Sequence, residues 1–322
     1  MIMNIVWLLV GLILILVGAN ALTDGASSLA RRMGISDLIV GLTVVAFGTS
    51  APELAISVIS AAGGEAQLAI GNVVGSNIFN ILMIIGITAM VRPIIIERTV
   101  LSLEIPMVIL SSVILLVLGN SAWLNGEGIN EISRVSAIFL LIFFMLFMRY
   151  TFASAKQPGA EAGNEEKENK PLPVWRAILY VVLGLAALVF GGDKFVDGAS
   201  GIASALGVSQ AVIGLTIVAA GTSLPELATS VVAATKGRPG MAIGNVIGSN
   251  IFNVLMVLGV SGCVRSLPFG SIGNFDLLTL LGASILFLIF GWVIKDRTIT
   301  RGEGAVMAAG YVVYVGWLLA SL

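Results

Sequence analysis

Apolar residues fill most of the chain in long runs, broken by short clusters of glycine, proline and charge. This pattern predicts ten spanning helices near residues 2–30, 37–62, 66–91, 99–119, 129–150, 174–203, 209–234, 240–262, 272–294 and 302–321. Each run reaches the roughly 20 residues that a helix needs to cross a bilayer. The stretch from Thr151 to Pro173 is different. Lys156, Glu161, Glu165, Glu166, Lys167, Glu168 and Lys170 alternate there with Pro158, Gly159, Pro171 and Pro173, a composition that cannot bury a core and reads as a hydrated linker. The expected organisation is an all-α integral membrane fold, with a first five-helix repeat at 1–150, a hydrophilic linker at 151–173 and a second five-helix repeat at 174–322. The first run ends in Ala19-Asn20-Ala21, which resembles a signal-peptide cleavage site. With no Lys or Arg among its first six residues, it reads instead as a membrane helix.

Composition agrees with the pattern. Of 322 residues, 57% are hydrophobic and 11% charged, and the mean hydropathy is +1.04, whereas a soluble domain carries about 45–50% apolar and about 25% charged residues. Seventeen basic residues face eighteen acidic ones, leaving no basic field for nucleic acid. The lone cysteine, Cys263, rules out an intramolecular disulfide or a thiolate cluster, and the absence of histidine rules out Ser-His-Asp and Cys-His catalysis, His-ligated zinc and imidazole relays. If the loops alternate sides, one side collects nearly all the loop Lys and Arg, and the other holds only Arg134 and Arg265. By the positive-inside rule the crowded side, with the 151–173 linker, is cytoplasmic and both termini lie outside. Trp7, Trp123, Trp175, Trp292 and Trp317 fall near span ends, where indoles prefer to sit.

The segment Gly18–Arg92 realigns on Gly191–Arg265 at a constant shift of 173 residues without a gap, and more than half of its positions are identical. Gly48-Thr49-Ser50-Ala51-Pro52-Glu53-Leu54 returns as Gly221-Thr222-Ser223-Leu224-Pro225-Glu226-Leu227. The block Gly71-Asn72-Val73-Val74-Gly75-Ser76-Asn77-Ile78-Phe79-Asn80 returns at 244–253 with one substitution. Five spans is an odd number, so the second copy enters the membrane from the opposite side. Such inverted repeats are a signature of secondary transporters, with the substrate site at the repeat interface near the midplane.

Glu53 and Glu226 lie inside apolar spans, where an ionised carboxylate costs about 2.5–3.5 kcal/mol on insertion scales and must face a cavity and hold a partner. The spans around them carry no Lys or Arg away from their ends, which points to a bound cation as the counter-charge. Pro52 and Pro225 lack an N–H and clash with the carbonyl four residues back, so backbone oxygens of the Gly48-Thr49 and Gly221-Thr222 turns are expected to open toward the carboxylates. Asn72, Ser76 and Asn80 recur every fourth residue on one helical face, copied by Asn245, Ser249 and Asn253. Carboxylate, hydroxyl, amide and carbonyl oxygens without nitrogen or sulfur donors form the ligand set of a hard ion, and flexible oxygen geometry favours Ca²⁺ with Na⁺. Gly41, Gly71, Gly75, Gly214, Gly244 and Gly248 are assigned to close helix packing.

The doubled Gly-Thr-Ser-x-Pro-Glu-Leu, each copy followed by Gly-Asn-Val-x-Gly-Ser-Asn-Ile-Phe-Asn, resembles the two alpha repeats of the calcium/cation antiporter superfamily, and most closely those of the prokaryotic sodium/calcium exchangers. The resemblance implies two inverted five-helix halves in a prokaryotic-type plasma (inner) membrane, four ion-binding spans packed as a core, and long first and sixth helices sliding past them. It implies further that Glu53 and Glu226 are shared Ca²⁺ ligands, with the backbone carbonyls of Thr49 and Thr222. Ser50, Ser223, Ser76 and Ser249 with the carbonyls of Ala46 and Ala219 would form flanking Na⁺ sites, and Asn80 and Asn253 would face the centre. Many members carry Asp where this chain has Asn253, so potassium coupling is not implied.

The expected function is electrogenic antiport of sodium against calcium, without an enzyme activity, cofactor or obligatory protein partner. The transported Ca²⁺ and Na⁺ and the lipid bilayer are the only partners expected. A proton-coupled exchanger of calcium or another divalent cation is the alternative; an intramembrane enzyme and a channel are weaker readings. Asp193, Lys194 and Asp197 read as an interfacial charge cluster, Glu97, Arg98 and Glu104 as a cytoplasmic helix-start charge group, and Cys263 as a buried small hydrophobe.

Overall fold

The apolar runs fold as helices, and the computed structural model describes residues 1–154, 171–207, 213, 217, 219–294 and 297–320. In chain order these are α1 (Ile2–Met33), α2 (Asp37–Thr49), α3 (Ala51–Gly63), α4 (Ala66–Val91), α5 (Val100–Leu118), α6 (Arg134–Ser154), α7 (Val174–Ala205), α8 (Leu224–Thr235), α9 (Pro239–Val264), α10 (Asn274–Trp292) and α11 (Arg301–Ala320). Single turns lie at Ser121–Asn125 and Ala219–Gly221. Among the described residues eight helices are long and apolar enough to cross a membrane, and the bent pair α2–α3 adds a ninth. The opening of the expected 209–234 span, with Gly214, and most of the expected linker lie outside the described residues. The fifth run starts at Arg134 instead of 129, because Glu131–Ile132 (β2) extends to pair with Leu267–Pro268 (β3).

A matching two-residue ladder joins Ile94–Ile95 (β1) to Thr298–Ile299 (β4). Each ladder requires its two loops to lie at the same end of the bundle. Helix α5 therefore runs from the β1–β4 end to the β2–β3 end, and its repeat mate α10 runs the other way. The two pack against each other through a Ser112–Ser284 hydroxyl pair at 3.1 Å and a reciprocal Asn120–Asn274 amide pair at 2.7 and 3.0 Å.

Lipid tails are as apolar as leucine, so little hydrophobic force pulls spanning helices together, and close backbone approach takes its place. The long helices α1 and α7 meet antiparallel along a glycine seam: Gly11 lies against Gly191, Gly18 against Gly184, Gly25 against Ala177 and Gly198 against Asn4, with the missing Cβ atoms 2.5–3.0 Å from backbone of the other helix. A second glycine contact joins α2 to α9, where a Cβ on Gly244 would sit 2.4 Å from the Leu38 carbonyl oxygen and one on Gly41 would sit 2.6 Å from that of Met241. The packing role expected of Gly41, Gly244 and Gly248 holds. Gly71 meets the Ile272 Cδ1 at a looser 3.4 Å.

Helices α4 and α9 are the interior, with 78% and 83% of their most apolar stretches buried, against 22% and 28% for α1 and α7 at the rim. The tryptophans expected at span ends are half or more exposed at Trp123, Trp175, Trp292 and Trp317. Lys194 bridges Asp193 (3.2 Å) and Asp197 (2.8 Å), the expected surface charge cluster. Arg92, past the end of α4, donates to the Ala234 carbonyl at the end of α8, and its repeat mate Arg265 lies against Gly64 at the end of α3. Favourable interaction of a cation with a helix C-terminus accounts for an arginine on the side expected to be poor in positive charge.

Two expectations need correction. Glu104 does not belong to an exposed helix-start charge group; it is only 5% exposed, in a π-helical turn (Val100–Glu104) at the start of α5. Cys263 is half-buried at the edge of the core instead of fully inside it.

Because the α2–α9 contact has no room for a methyl group, Gly244→Ala is expected to destabilise the protein by about 1–3 kcal/mol, the usual cost of overpacking. Gly282→Ala, inside α10 with no described atom within 4 Å of its added Cβ, should not destabilise it and can raise stability by up to about 1 kcal/mol through helix propensity. Thermal unfolding of the purified protein in detergent measures both.

Candidate ion-binding site

The site grows out of two matched chain breaks. A straight helix through residue 52 would drive the Pro52 ring into the Gly48 carbonyl and leave that oxygen without its N–H partner. The chain instead closes α2 at Thr49, passes Ser50 at φ −86°, ψ 7°, and restarts as α3 at a 46° bend. Ser223, at φ −93°, ψ 7°, precedes α8 in the same way. Proline then occupies the first turn of a new helix, where a missing N–H costs nothing. The glutamate that follows falls in that same first turn, where the helix dipole favours an anion.

Glu53 and Glu226 are both 0% exposed. Each is held by the other half of the molecule: the Ser50 hydroxyl donates to Glu226 Oε1 at 3.0 Å, and the Ser223 hydroxyl donates to Glu53 Oε1 at 3.4 Å. Thr222 also reaches the Glu53 carboxylate, and Thr49 and Ser249 lie beside that of Glu226. The two carboxylates are close enough to repel one another. The second oxygen of each, Oε2, is buried without a partner among the described residues. The ion pairs seen there join Lys194 to Asp193 and Asp197, and Lys236 and Arg238 to Asp24; neither glutamate meets a basic side chain.

Buried serines in helices usually donate back to a carbonyl one turn earlier, as Ser112 does to Val108. Ser76 and Ser249 are buried and make no such bond. Asn80 and Asn253 occupy the second positions of matching π-helical turns, Phe79–Ile84 and Phe252–Val257, a feature common at functional sites. Both amide atoms of Asn80, and Oδ1 of Asn253, are buried without a partner among the described residues. Orphaned oxygens of this kind are what a cation would satisfy.

The backbone at the two breaks differs. The Ser50 N–H donates to the Ala46 carbonyl at 3.0 Å, and the Thr49 hydroxyl lies nearest the Val45 carbonyl at 3.1 Å. In the second copy the Ser223 N–H donates to Ala220 and not to Ala219.

Sequence spacing placed Asn72 and Asn245 on the same ligand face as the serines, and this is corrected by the structure. The Asn245 amide nitrogen lies within hydrogen-bonding distance of the Glu226 carbonyl and the Thr229 and Ser230 hydroxyls, at 2.9–3.2 Å, and Oδ1 accepts from Thr49. Asn72 reaches the Glu53 carbonyl and Ser57 in the same manner. Both are fasteners for the glutamate-bearing helices. Spacing also missed Asn77 and Asn250, which meet across the two halves; lying one step off the 72/76/80 face, they become visible only when α4 crosses α9.

A cavity of about 440 Å³ runs beside both breaks, lined by Pro52, Thr222, Pro225, Gly192 and Asp193 among others. A second, of about 380 Å³, is walled by apolar groups such as Leu42, Phe47, Phe144 and Phe252 and offers an ion no ligands.

Comparison with known proteins agrees with this geometry. The family model described as sodium/calcium exchanger protein matches residues 3–153 and 176–320. Over the full length of both chains the sequence is 38% identical to the putative antiporter CaxA of Alkalimonas amylolytica. It is 34% identical to the sodium/calcium exchanger MaX1 of Methanosarcina acetivorans, covering 97% of each chain. A solved structure of the sodium-calcium exchanger NCX_Mj, soaked with Na⁺ and Sr²⁺, superposes with a TM-score of 0.83 at 33% identity over 98% of each chain.

Asn245→Leu would remove the amide that the Glu226 carbonyl and the Thr229, Ser230 and Thr49 hydroxyls share in the interior. It is expected to cost at least about 2 kcal/mol, and more than Asn72→Leu, whose amide has fewer partners. Equal melting temperatures for the two variants would contradict the fastening role.

Proposed function

The chain belongs to the sodium/calcium exchanger family, and from that membership we propose that it is a secondary antiporter exchanging sodium for calcium, electrogenically, by alternating access. The observation that carries this reading is the pair of fully buried carboxylates, one from each half, each hydrogen-bonded by the opposite half's serine and neither paired with a base among the described residues. One Ca²⁺ neutralises both. With calcium gone, sodium ions take overlapping sites, so each half-cycle carries one species or the other.

In this reading Glu53, Glu226 and the carbonyls of Thr49 and Thr222 hold calcium. Ser50, Ser76, Ser223, Ser249 and the carbonyls of Ala46 and Ala219 serve sodium, and Asn80 and Asn253 complete the centre. The Ser76 hydroxyl and the Asn80 and Asn253 oxygens, buried without a partner among the described residues, and the Ser249 hydroxyl beside the Glu226 carboxylate support these assignments; such groups neither gain nor lose a proton near neutral pH, which favours sodium over proton coupling. The architecture is ten spans in two inverted halves, 1–150 and 174–322, joined by a cytoplasmic 151–173 linker, with both termini outside. The opposed directions of α5 and α10 and the antiparallel α1–α7 seam support the inversion. With three sodium ions per calcium, a tenfold sodium gradient stores about 1.4 kcal/mol per ion. The extra charge adds about 2.3 kcal/mol per 100 mV.

Proteoliposomes loaded with sodium, potassium or buffered protons test the proposal through ⁴⁵Ca²⁺ uptake. Uptake is expected with internal sodium alone, to grow with a potential that favours sodium exit, and to vanish in Glu53→Gln or Glu226→Gln. Uptake without internal sodium that follows a pH gradient would replace sodium with proton coupling.

A further inference from the structure

Asn77 and Asn250, on α4 and α9, take no part in the ligand set above, yet they are 1% and 0% exposed. Asn77 Nδ2 donates to the backbone carbonyl of Asn250 at 3.1 Å, and Asn77 Oδ1 accepts from Asn253 Nδ2 at 3.1 Å. Chemistry alone sets the direction of this chain. A backbone carbonyl can only accept, so the Asn77 atom facing Asn250 is the nitrogen; its oxygen is then left for Asn253, which must answer with its own nitrogen. Asn253 Oδ1 therefore points away from the chain, buried and without a partner among the described residues.

We propose that Asn77 is a positioning residue that fixes the Asn253 amide with its oxygen, never its NH₂, turned to the transported ions. The inference rests on the exchanger reading of the site. A cation is attracted by an amide oxygen and repelled by an amide NH₂, so the chain sets the sign of the dipole that Asn253 shows the ion. The device is one-sided. In the mirror position the Asn250 amide nitrogen donates instead to Val246 of its own helix at 2.7 Å, and Asn80 is held at neither end among the described residues. The two central amides are thus inequivalent although their sequence surroundings match: Asn253 is locked, and Asn80 can turn to suit its occupant.

Two variants test this by their KM and Vmax for Ca²⁺ and Na⁺ in proteoliposomes across pH. Asn77→Leu keeps the size but removes both hydrogen-bonding ends. It is expected to raise KM about fivefold at every pH, the effect of one net hydrogen bond, with little change in Vmax. Asn77→Asp can rebuild the chain only when protonated, its O–H donating to the Asn250 carbonyl and its other oxygen accepting from Asn253. Its KM should match the wild type at low pH and rise as the carboxyl ionises with increasing pH. A wild-type KM in Asn77→Leu, or a KM in Asn77→Asp that follows the wild type at every pH, overturns the proposal. If Asn77→Leu fails to fold, the pH profile of the near-isosteric Asn77→Asp decides alone. Absence of sodium-driven uptake in the wild type would refute the exchanger reading instead; Ca²⁺ titration of the detergent-solubilised wild type and Asn77→Leu by calorimetry then decides the role of Asn77, with equal affinities counting against it.

Discussion

Two carboxylates buried among apolar helices, with no basic neighbour among the described residues, are the constraint around which the rest of the molecule is arranged. Neither an isolated charge nor a pair of repelling charges is stable in such a medium. What the fold provides is partial: a few hydroxyls, led by one serine from the opposite half for each, the positive end of a freshly started helix, and no partner among the described residues for either Oε2. The deficit is one that a bound cation would fill. A fully satisfied site would bind no ion, and an unsupported one would not fold.

The crossed serine bonds have a second consequence. Because Ser50 serves Glu226 and Ser223 serves Glu53, neither half contains a complete site. The fasteners Asn72 and Asn245 tie each glutamate-bearing helix to the interior helix that follows it. Arg92 and the mate position Arg265 reach from those interior helices to the far ends of the opposite broken helices. These links make α3, α4, α8 and α9 a cross-braced unit. The α1–α7 pair, joined to each other by glycine contacts and largely exposed, packs beside it as an antiparallel pair, tied to the end of α8 by Lys236 and Arg238 on Asp24.

Pseudo-symmetry is close in the sequence motifs and looser in structure. The breaks share their backbone angles, yet Ser50 donates its N–H four residues back and Ser223 only three. The asparagine chain runs from Asn253 through Asn77 to Asn250 and has no mirror counterpart among the described residues. Any single conformation of an inverted-repeat transporter must break the symmetry, since the two faces of the membrane cannot both have access at once.

Much was legible before folding. Ten apolar runs, a gapless duplication and intramembrane acids without bases depend only on composition and spacing, because a bilayer admits few solutions for a backbone that must satisfy its own hydrogen bonds. Pro52 and Pro225 announced the breaks, since a proline ring conflicts with a continuous helix wherever it stands. Which polar residues would face an ion was not legible in the same way. Asn72, Ser76 and Asn80 share a helical face, but Asn72 is spent on a neighbouring carbonyl; Asn77 and Asn250, off that face, meet only because α4 crosses α9; Glu104 looked like a surface charge and is buried. Periodicity within one helix fixes which side chains point together, a local property of the chain. What they point at depends on the neighbouring helix, brought there by glycine contacts and crossed hydrogen bonds between residues some 170 positions apart, and only the assembled bundle decides that.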